Sequence, residues 1–385
     1  MIWIAVTVSL GVLASQILPV SFVLSLLILA LGSGVLCLFI NNRFSLPLFA
    51  FALTLARVLW LPSDFFSLSS GSAFAFLLPV RAFFIRALDA LFGSDNGFAR
   101  GILLGDKTEI SRDLMTSFAN NGLVHLLSVS GLHVNIIART TKEITKPFPP
   151  WPRLALRMLL VLFYVGLTGF NAPSVRAALM LLGLWIAIPL RRQEDAPSAF
   201  LFSFAGVVFL MPEAWGTASF QISFACMFGL LALERPIRYL LRLPEGKLFN
   251  VLSGTLAVTV TLLPLFTYYF GGVSWISPFV SVLVLPVVPL ITLSGFYAML
   301  VYPLLPAVGS IIAAPARLGL WGITKLMELL DVTLLPLPRP HVAVIAVYLI
   351  GILFLSPFFL PNRKKGLPII GLTLFALSIL LWIIL

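Results

Sequence analysis

Charge is what this sequence has least of: Asp, Glu, Lys and Arg make up 10% of its 385 residues, against 60% hydrophobic ones. So small a polar supply cannot clothe a water-soluble domain, and a mean hydropathy of +1.08 places the chain in lipid. Cysteine is nearly absent. Cys37 and Cys226 are isolated, which excludes a disulfide framework and thiolate spacing for zinc. The short alternating segments of a β-barrel are missing too. The apolar runs are helix length, and a helix satisfies its own backbone hydrogen bonds where there is no water. The expected fold is all-α, a polytopic helical membrane protein.

Apolar runs predict spans at 2–18, 20–40, 46–61, 154–170, 175–190, 199–211, 218–233, 251–270, 276–302, 306–330, 342–359 and 367–385. That is about 10–12 membrane helices. Within 276–302, Pro286 and Pro289 remove ladder donors and should break the helix. No basic residue precedes the first run, so it is expected to be a retained span and not a cleaved signal. If the spans alternate, Arg43, the group Arg139, Lys142, Lys146 and Arg153, the pair Arg191 and Arg192, the group Arg235, Arg238, Arg242 and Lys247, and the triplet Arg363, Lys364 and Lys365 share one side. The positive-inside rule makes that side cytoplasmic. The expected organisation is N-terminal spans over 1–61, an extracytoplasmic, interfacial segment over 62–121 and a polytopic bundle over 122–385.

In the interfacial segment, Val80, Phe83, Phe84, Ala87, Leu88, Leu91 and Phe92 recur at helical spacing, with Pro79 and Gly93 as end signals. This predicts an amphipathic helix lying in the membrane interface. "ISRDLMTSFANNG" predicts a second short helix, capped by Ser111, with Asp113 at its positive end and Asn121 and Gly122 as its stop. Asp106, Glu109 and Asp113 are expected to solvate this segment.

The run "HLLSVSGLHV" then sets His125, Ser128, Ser130, Gly131 and His133 in otherwise apolar sequence. On an unbroken helix the two histidines would stand roughly 12 Å apart, too far to share a metal ion. Ser130 and His133, three residues apart, could share a helix face as nucleophile and base, which keeps an intramembrane serine hydrolase open. Polar groups between Gly122 and Gly131 also suit a re-entrant or broken helix lining a path, or hydrogen-bonded glue between helices. Arg176, just after Asn171 and Pro173 inside an apolar run, either faces such a path or snorkels to the nearby surface. Gln221, Ser223, Tyr268 and Tyr269 are further path candidates. Tyrosine near a span end is also an ordinary interfacial anchor.

Four blocks together resemble the ComEC/Rec2 competence domain. "GILLGDKTEISRDLMTSFANNGLVHLLSVSGLHV" is similar to its signature, in which a Gly-Asp segment, here Gly105 and Asp106, precedes a short capped helix and a His-Leu-Leu-x-x-Ser-Gly-Leu-His run. "LTGFNAPSVRAALM" is similar to the family's Gly-x-x-Pro-Ser-x-x-Arg-Ala segment, and "PEAWGTASFQISFACMFGLL" to its Phe-Gln-Leu-Ser-Phe block. "PLFTYYFGGVSWISPFVSVLVLPVVP", with Pro278, Pro286 and Pro289, follows its Tyr-x-Phe-Gly, Ser-Pro and Pro-x-x-Pro pattern. The likeness runs in order from about residue 97 to 289.

The resemblance implies a multi-pass permease of the plasma (inner) membrane that passes single-stranded DNA into the cytoplasm during natural transformation. His125, Ser128, Ser130 and His133 are expected to line or brace a segment beside its path without covalent chemistry, and no cofactor or metal is expected. Members commonly add an OB-fold-like domain and a metallo-β-lactamase-like nuclease domain. Neither is expected here, because 62–121 leaves no room for the first and no His-x-His-x-Asp-His motif marks the second. Separate DNA-receptor, nuclease and cytoplasmic motor or strand-binding proteins are the expected partners, besides DNA and the bilayer. A transporter of another polar or lipid-linked cargo is the alternative. The net charge of +11 has the sign that a polyanion needs, although positive-inside loops supply most of it.

Overall fold

Each predicted span from residue 154 onward falls largely on helix, with 276–302 split into two helices, in the computed structural model, which describes residues 74–93, 96–127, 129–330, 333–356 and 367–384. The expected spans at 2–18, 20–40 and 46–61 lie outside the described residues, as do Ser128 and the side chain of His125. The order is α1 Leu77–Phe92, α2 Asn96–Leu104, α3 Arg112–Asn120, a 3₁₀ turn Val124–Leu127, α4 Gly131–Thr145, α5 Pro150–Leu167, α6 Ala172–Trp185 and α7 Ala196–Leu210. A second 3₁₀ turn, Pro212–Gly216, leads to α8 Ala218–Leu240, α9 Lys247–Phe270, β1 Gly272–Val273, α10 Ser277–Val284, α11 Val288–Val301 and α12 Pro306–Leu329. The chain closes with β2 Leu335–Pro336, α13 Val342–Leu355 and α14 Leu367–Ile384.

Proline and short polar side chains set the helix starts. Proline occupies the first turn of α5, α6, α7, α10, α11 and α12, where its missing N–H removes no helical bond. Ser111, Asn171, Asp195 and His341 cap α3, α6, α7 and α13 by accepting an amide hydrogen of the first turn. Among the described residues, α5, α8, α9 and α12 are each long and apolar enough to cross a membrane. The helices α10 and α11 meet that standard together, bent by 44° at a break holding Pro286, while Pro289 falls in the first turn of α11. The break expected in 276–302 is thus present.

The chain divides into two compact units, residues 1–80 with 138–221, and residues 81–137 with 222–385. In the first, α5 and α6 form a hairpin and α7 packs along α6, where Gly183 leaves room for the backbone of Ala199. The hairpin turn puts Gly169 and Phe170 at φ 84° and 50°, and the Phe170 ring is buried against Phe74 with centroids 4.5 Å apart.

In the second unit, α11 pairs with α12, α2 packs on α11 and α3 on the end of α12. Glycines set these approaches: a methyl group at Gly295 would meet Leu103 at 2.8 Å, and one at Gly319 would meet Ile291 at 2.6 Å. The helices α8 and α9 approach at Gly229 and Thr261, α13 pairs with α14 at Gly351 and Gly371, and α13 touches α9. Pro264 inside α9 leaves the Val260 carbonyl without its helical donor. The hydroxyl of buried Tyr348 on α13 supplies one at 2.6 Å.

Candidate functional site

The polar run is a break between helices. Chain direction changes at Gly122, with φ 72°, passes through the 3₁₀ turn and restarts as a helix at Gly131. Ser130 precedes α4 and accepts the Leu132 amide hydrogen on Oγ at 3.3 Å. His133, buried in the first turn, returns Nδ1 to the Ser130 amide at 3.1 Å and lies 3.0 Å from its Oγ. This is capping-box geometry with histidine in the place of the usual Glu or Gln. Since Nδ1 accepts from the backbone, the ring proton sits on Nε2. The arrangement orients the start of α4, and it explains the Ser-x-x-His spacing without requiring a nucleophile.

Beside this break stands the start of α10. A methyl group at Gly122 would meet Ser277 Oγ at 2.6 Å and the Ser274 Cβ at 3.4 Å, so only glycine fits the contact. Two oxygens here, Asn121 Oδ1 and Ser274 Oγ, are buried without a hydrogen-bond partner among the described residues. Pro278 lies in the first turn of α10, and Ser277 and Ser281 are buried. Polar atoms thus gather where both chain segments are interrupted.

The carboxylates of the interfacial segment do more than solvate it. Gly105 stops α2 with φ 72°, and Asp106 accepts the amide and hydroxyl of Thr108 at 3.1 and 2.7 Å. Arg100 forms a two-point pair with Asp89 and lies 4.0 Å from Asp106 and 3.9 Å from Glu109, so one guanidinium ties α1, α2 and the following loop. Burial pushes the Asp106 carboxyl up, but the Thr108 hydrogen bonds with the Arg81 and Arg100 charges outweigh it and hold it below its ordinary value. Between α3 and the end of α12 lies a groove of about 690 Å³, lined among others by Phe98, Ser117, Asn120, Thr324 and Met327. Glu109, Asp113 and Glu328 also line it, which disfavours a polyanion there.

In the first unit, Asn171 Oδ1 accepts the Ser174 amide at 3.0 Å, so Asn171 and Pro173 serve as the start of α6. Arg176, one turn later, is 8% exposed. A snorkelled side chain would reach solvent, so this one is an interior group. Gln221 donates to the Trp215 carbonyl at 3.3 Å and is partly buried. In the second unit, Ser223 is partly buried, and Tyr268 and Tyr269 pack on a core with Leu262 and Phe266. Arg339 covers the Tyr268 ring at 4.6 Å and donates to its carbonyl at 2.8 Å, closing the end of α9.

Two arginines escaped the sequence reading. Arg100 meets carboxylates that lie up to eleven positions away on other elements. Arg157 sits on α5 at 7% exposure, with Nε donating to Thr145 Oγ1 at 2.7 Å and the Trp185 ring 5.4 Å from its guanidinium carbon. Its position inside the predicted 154–170 span was the available signal.

Long apolar helices, a broken span and buried polar groups define a polytopic helical membrane protein. Among the described residues no group of His, Cys, Asp and Glu could hold a metal ion. The chain belongs to the Competence protein family, whose profile matches residues 102–361, well past the 97–289 likeness read from the four blocks. It is 30% identical over 227 residues to ComE operon protein 3 of Bacillus subtilis (strain 168), covering 58% of this chain and 28% of that one. It is also 30% identical over 213 residues to competence protein ComA of Neisseria gonorrhoeae, covering 52% and 30% of the two chains. An uncharacterized Escherichia coli (strain K12) protein, YcaI, is 25% identical over 256 residues, 60% of this chain and 33% of that one. The matches thus span a third or less of each of these relatives. No solved structure matches.

Proposed function

We propose that the chain is an inner-membrane permease that passes single-stranded DNA into the cytoplasm during competence. The observation that carries this reading is the family match over 102–361, which takes in the whole broken region and its polar groups. The names of two relatives, a ComE operon protein and a competence protein, agree with it. A DNA strand needs cations and hydrogen-bonding groups along its route and aromatic faces for its bases. Buried Arg176 on α6, the polar oxygens at the α10 start and the tyrosines of α9 are groups of that kind.

No covalent step is assigned to the protein, since capping accounts for Ser130 and His133. A DNA receptor, a nuclease and a cytoplasmic motor or strand-binding protein are the proposed partners. The test is entry of end-labelled DNA into the nuclease-protected cytoplasmic pool, in cells with the gene deleted and then restored. Loss on deletion with recovery on restoration is expected. Unchanged entry on deletion would overturn the DNA reading and leave a transporter of another polar or lipid-linked cargo.

A further inference from the structure

Arg157 is a cation inside a membrane-length helix, and none of the described carboxylates comes within ion-pair distance of it. Its hydrogen bonds go to the end of α4: Nε to Thr145 Oγ1 at 2.7 Å and an Nη to the Lys142 carbonyl at 3.5 Å. Those acceptors are neutral. A helix C-terminus offers roughly half a negative charge, so it compensates a guanidinium only in part. Glu143 and Arg153 act on it from farther away with opposite signs, and Glu143 is itself 3.9 Å from Lys146. The Trp185 ring also stands by it and attracts a cation without neutralising it.

A buried charge without a counter-charge is costly, and the cost falls when an anion arrives. Surface cations of short loops follow from membrane orientation alone. Arg157 does not, because it is buried. The same end of the first unit carries Arg139, Lys142, Lys146 and Arg153 on or beside α4 and α5, a local excess of positive charge leading to the buried one. Arg153 is itself fixed on the Phe148 and Lys146 carbonyls at 3.0 and 2.9 Å, and none of the described carboxylates forms an ion pair with it.

We propose that Arg157, with Trp185 and Thr145, forms a binding site for a phosphodiester anion. The guanidinium takes the phosphate, Thr145 holds its Nε edge in place, and the partly buried Trp185 offers an apolar face beside it. The phosphodiester comes either from the DNA strand or from an anionic phospholipid headgroup. As a DNA contact the site rests on the permease reading; as a lipid contact it does not.

The experiment uses the full chain in nanodiscs of zwitterionic phosphatidylcholine, with wild type, Arg157→Gln and Arg157→Lys compared. Glutamine keeps a donor for the α4 end and removes the charge, whereas lysine keeps the charge. In the first arm, fluorescein-labelled oligothymidylate is titrated by anisotropy at several salt concentrations. With a DNA phosphate at the site, Arg157→Gln weakens binding roughly five- to tenfold. The slope of log K against log salt falls by about 0.7, and Arg157→Lys keeps the wild-type slope. In the second arm, native mass spectrometry follows dioctanoyl phosphatidylglycerol. With a lipid phosphate at the site, wild type and Arg157→Lys retain a lipid that Arg157→Gln loses, while oligonucleotide binding is equal in all three.

A folded Arg157→Gln chain that matches wild type in both arms would overturn the proposal and leave Arg157 as a helix cap. If that variant does not fold, the wild-type chain gives the answer by cross-linking with an iododeoxyuridine oligonucleotide or a photoactivatable phosphatidylglycerol. A label on the α5–α6 peptide around Trp185 supports the site, and no label there from either probe overturns it. The two readings separate cleanly. Gene-dependent DNA entry with both arms silent removes this site alone, and a positive lipid arm without gene-dependent entry removes the permease reading alone.

Discussion

His133 Nδ1 lies 3.1 Å from the amide nitrogen of Ser130, so that side chain and backbone close the first turn of α4 on each other. Glutamine at this third helical position can make the same reciprocal bond, but it cannot act as a general base. His133→Gln should therefore leave DNA entry near wild type. Ser130→Ala should lower thermal stability by about 1 kcal/mol, the usual cost of a lost cap, and a fluorophosphonate probe should label neither chain. Abolished entry in a folded, membrane-inserted His133→Gln variant would restore the nucleophile-and-base reading.

Tyr348 and Pro264 are linked through a carbonyl that neither owns. Pro264 has no N–H to give Val260, and the Tyr348 hydroxyl donates there at 2.6 Å. Tyr348→Phe leaves that carbonyl buried and unmatched, at a cost of about 1–3 kcal/mol. Pro264→Ala returns the helical donor. In a double-mutant cycle read by thermal unfolding, the phenylalanine substitution should cost much less in the Pro264→Ala background. Equal cost in both backgrounds would mean that the hydroxyl contributes elsewhere.

The Asp106 turn predicts an acid dependence of definite sign. Its carboxyl is held below its ordinary value in the folded chain, so its contribution is complete above that ordinary value, about 3.9. The contribution is lost as pH falls through the lower folded value. The stability gap between wild type and Asp106→Asn should be constant from neutral pH down to about 5 and close below about 4. A gap that widened on acidification would contradict the ion-pair and hydrogen-bond account of this loop.

Much of the fold follows from local rules readable in the chain. Apolar length marks the helices, Ser111 and Asn121 with Gly122 mark the ends of α3, and Pro286 marks the break before α11. What failed was long-range. The helix α8 runs on to Leu240 through Pro236, past the predicted end at 233, where Glu234 pairs with Arg238 at 2.8 Å and takes the Ser253 hydroxyl from α9 at 3.0 Å. Ser117 donates to the Met327 carbonyl from 210 positions away, and no periodicity announces such a contact. Arg157, four residues after the loop arginine Arg153, carries no mark in the sequence beyond its place inside an apolar run, and only its burial sets it apart. The Ser-x-x-His spacing was visible but ambiguous, because three residues apart describes a cap as well as a shared helix face.

Arg176 is the most demanding of the candidate path residues. It lies within the first turns of α6, close to the positive end of the helix dipole, and it is 8% exposed. Burial and dipole therefore both oppose the charge. A position opposed twice over suits a group that meets an anion in function. Arg176→Lys keeps the charge but not the planar fork, and Arg176→Ala keeps neither. With expression and insertion matched, Arg176→Ala should cut entry of end-labelled DNA at least about tenfold, the scale of one charge-assisted contact. Arg176→Lys should fall between that value and wild type. Wild-type entry in both variants would remove Arg176 from the path and make its burial a matter of packing between helices.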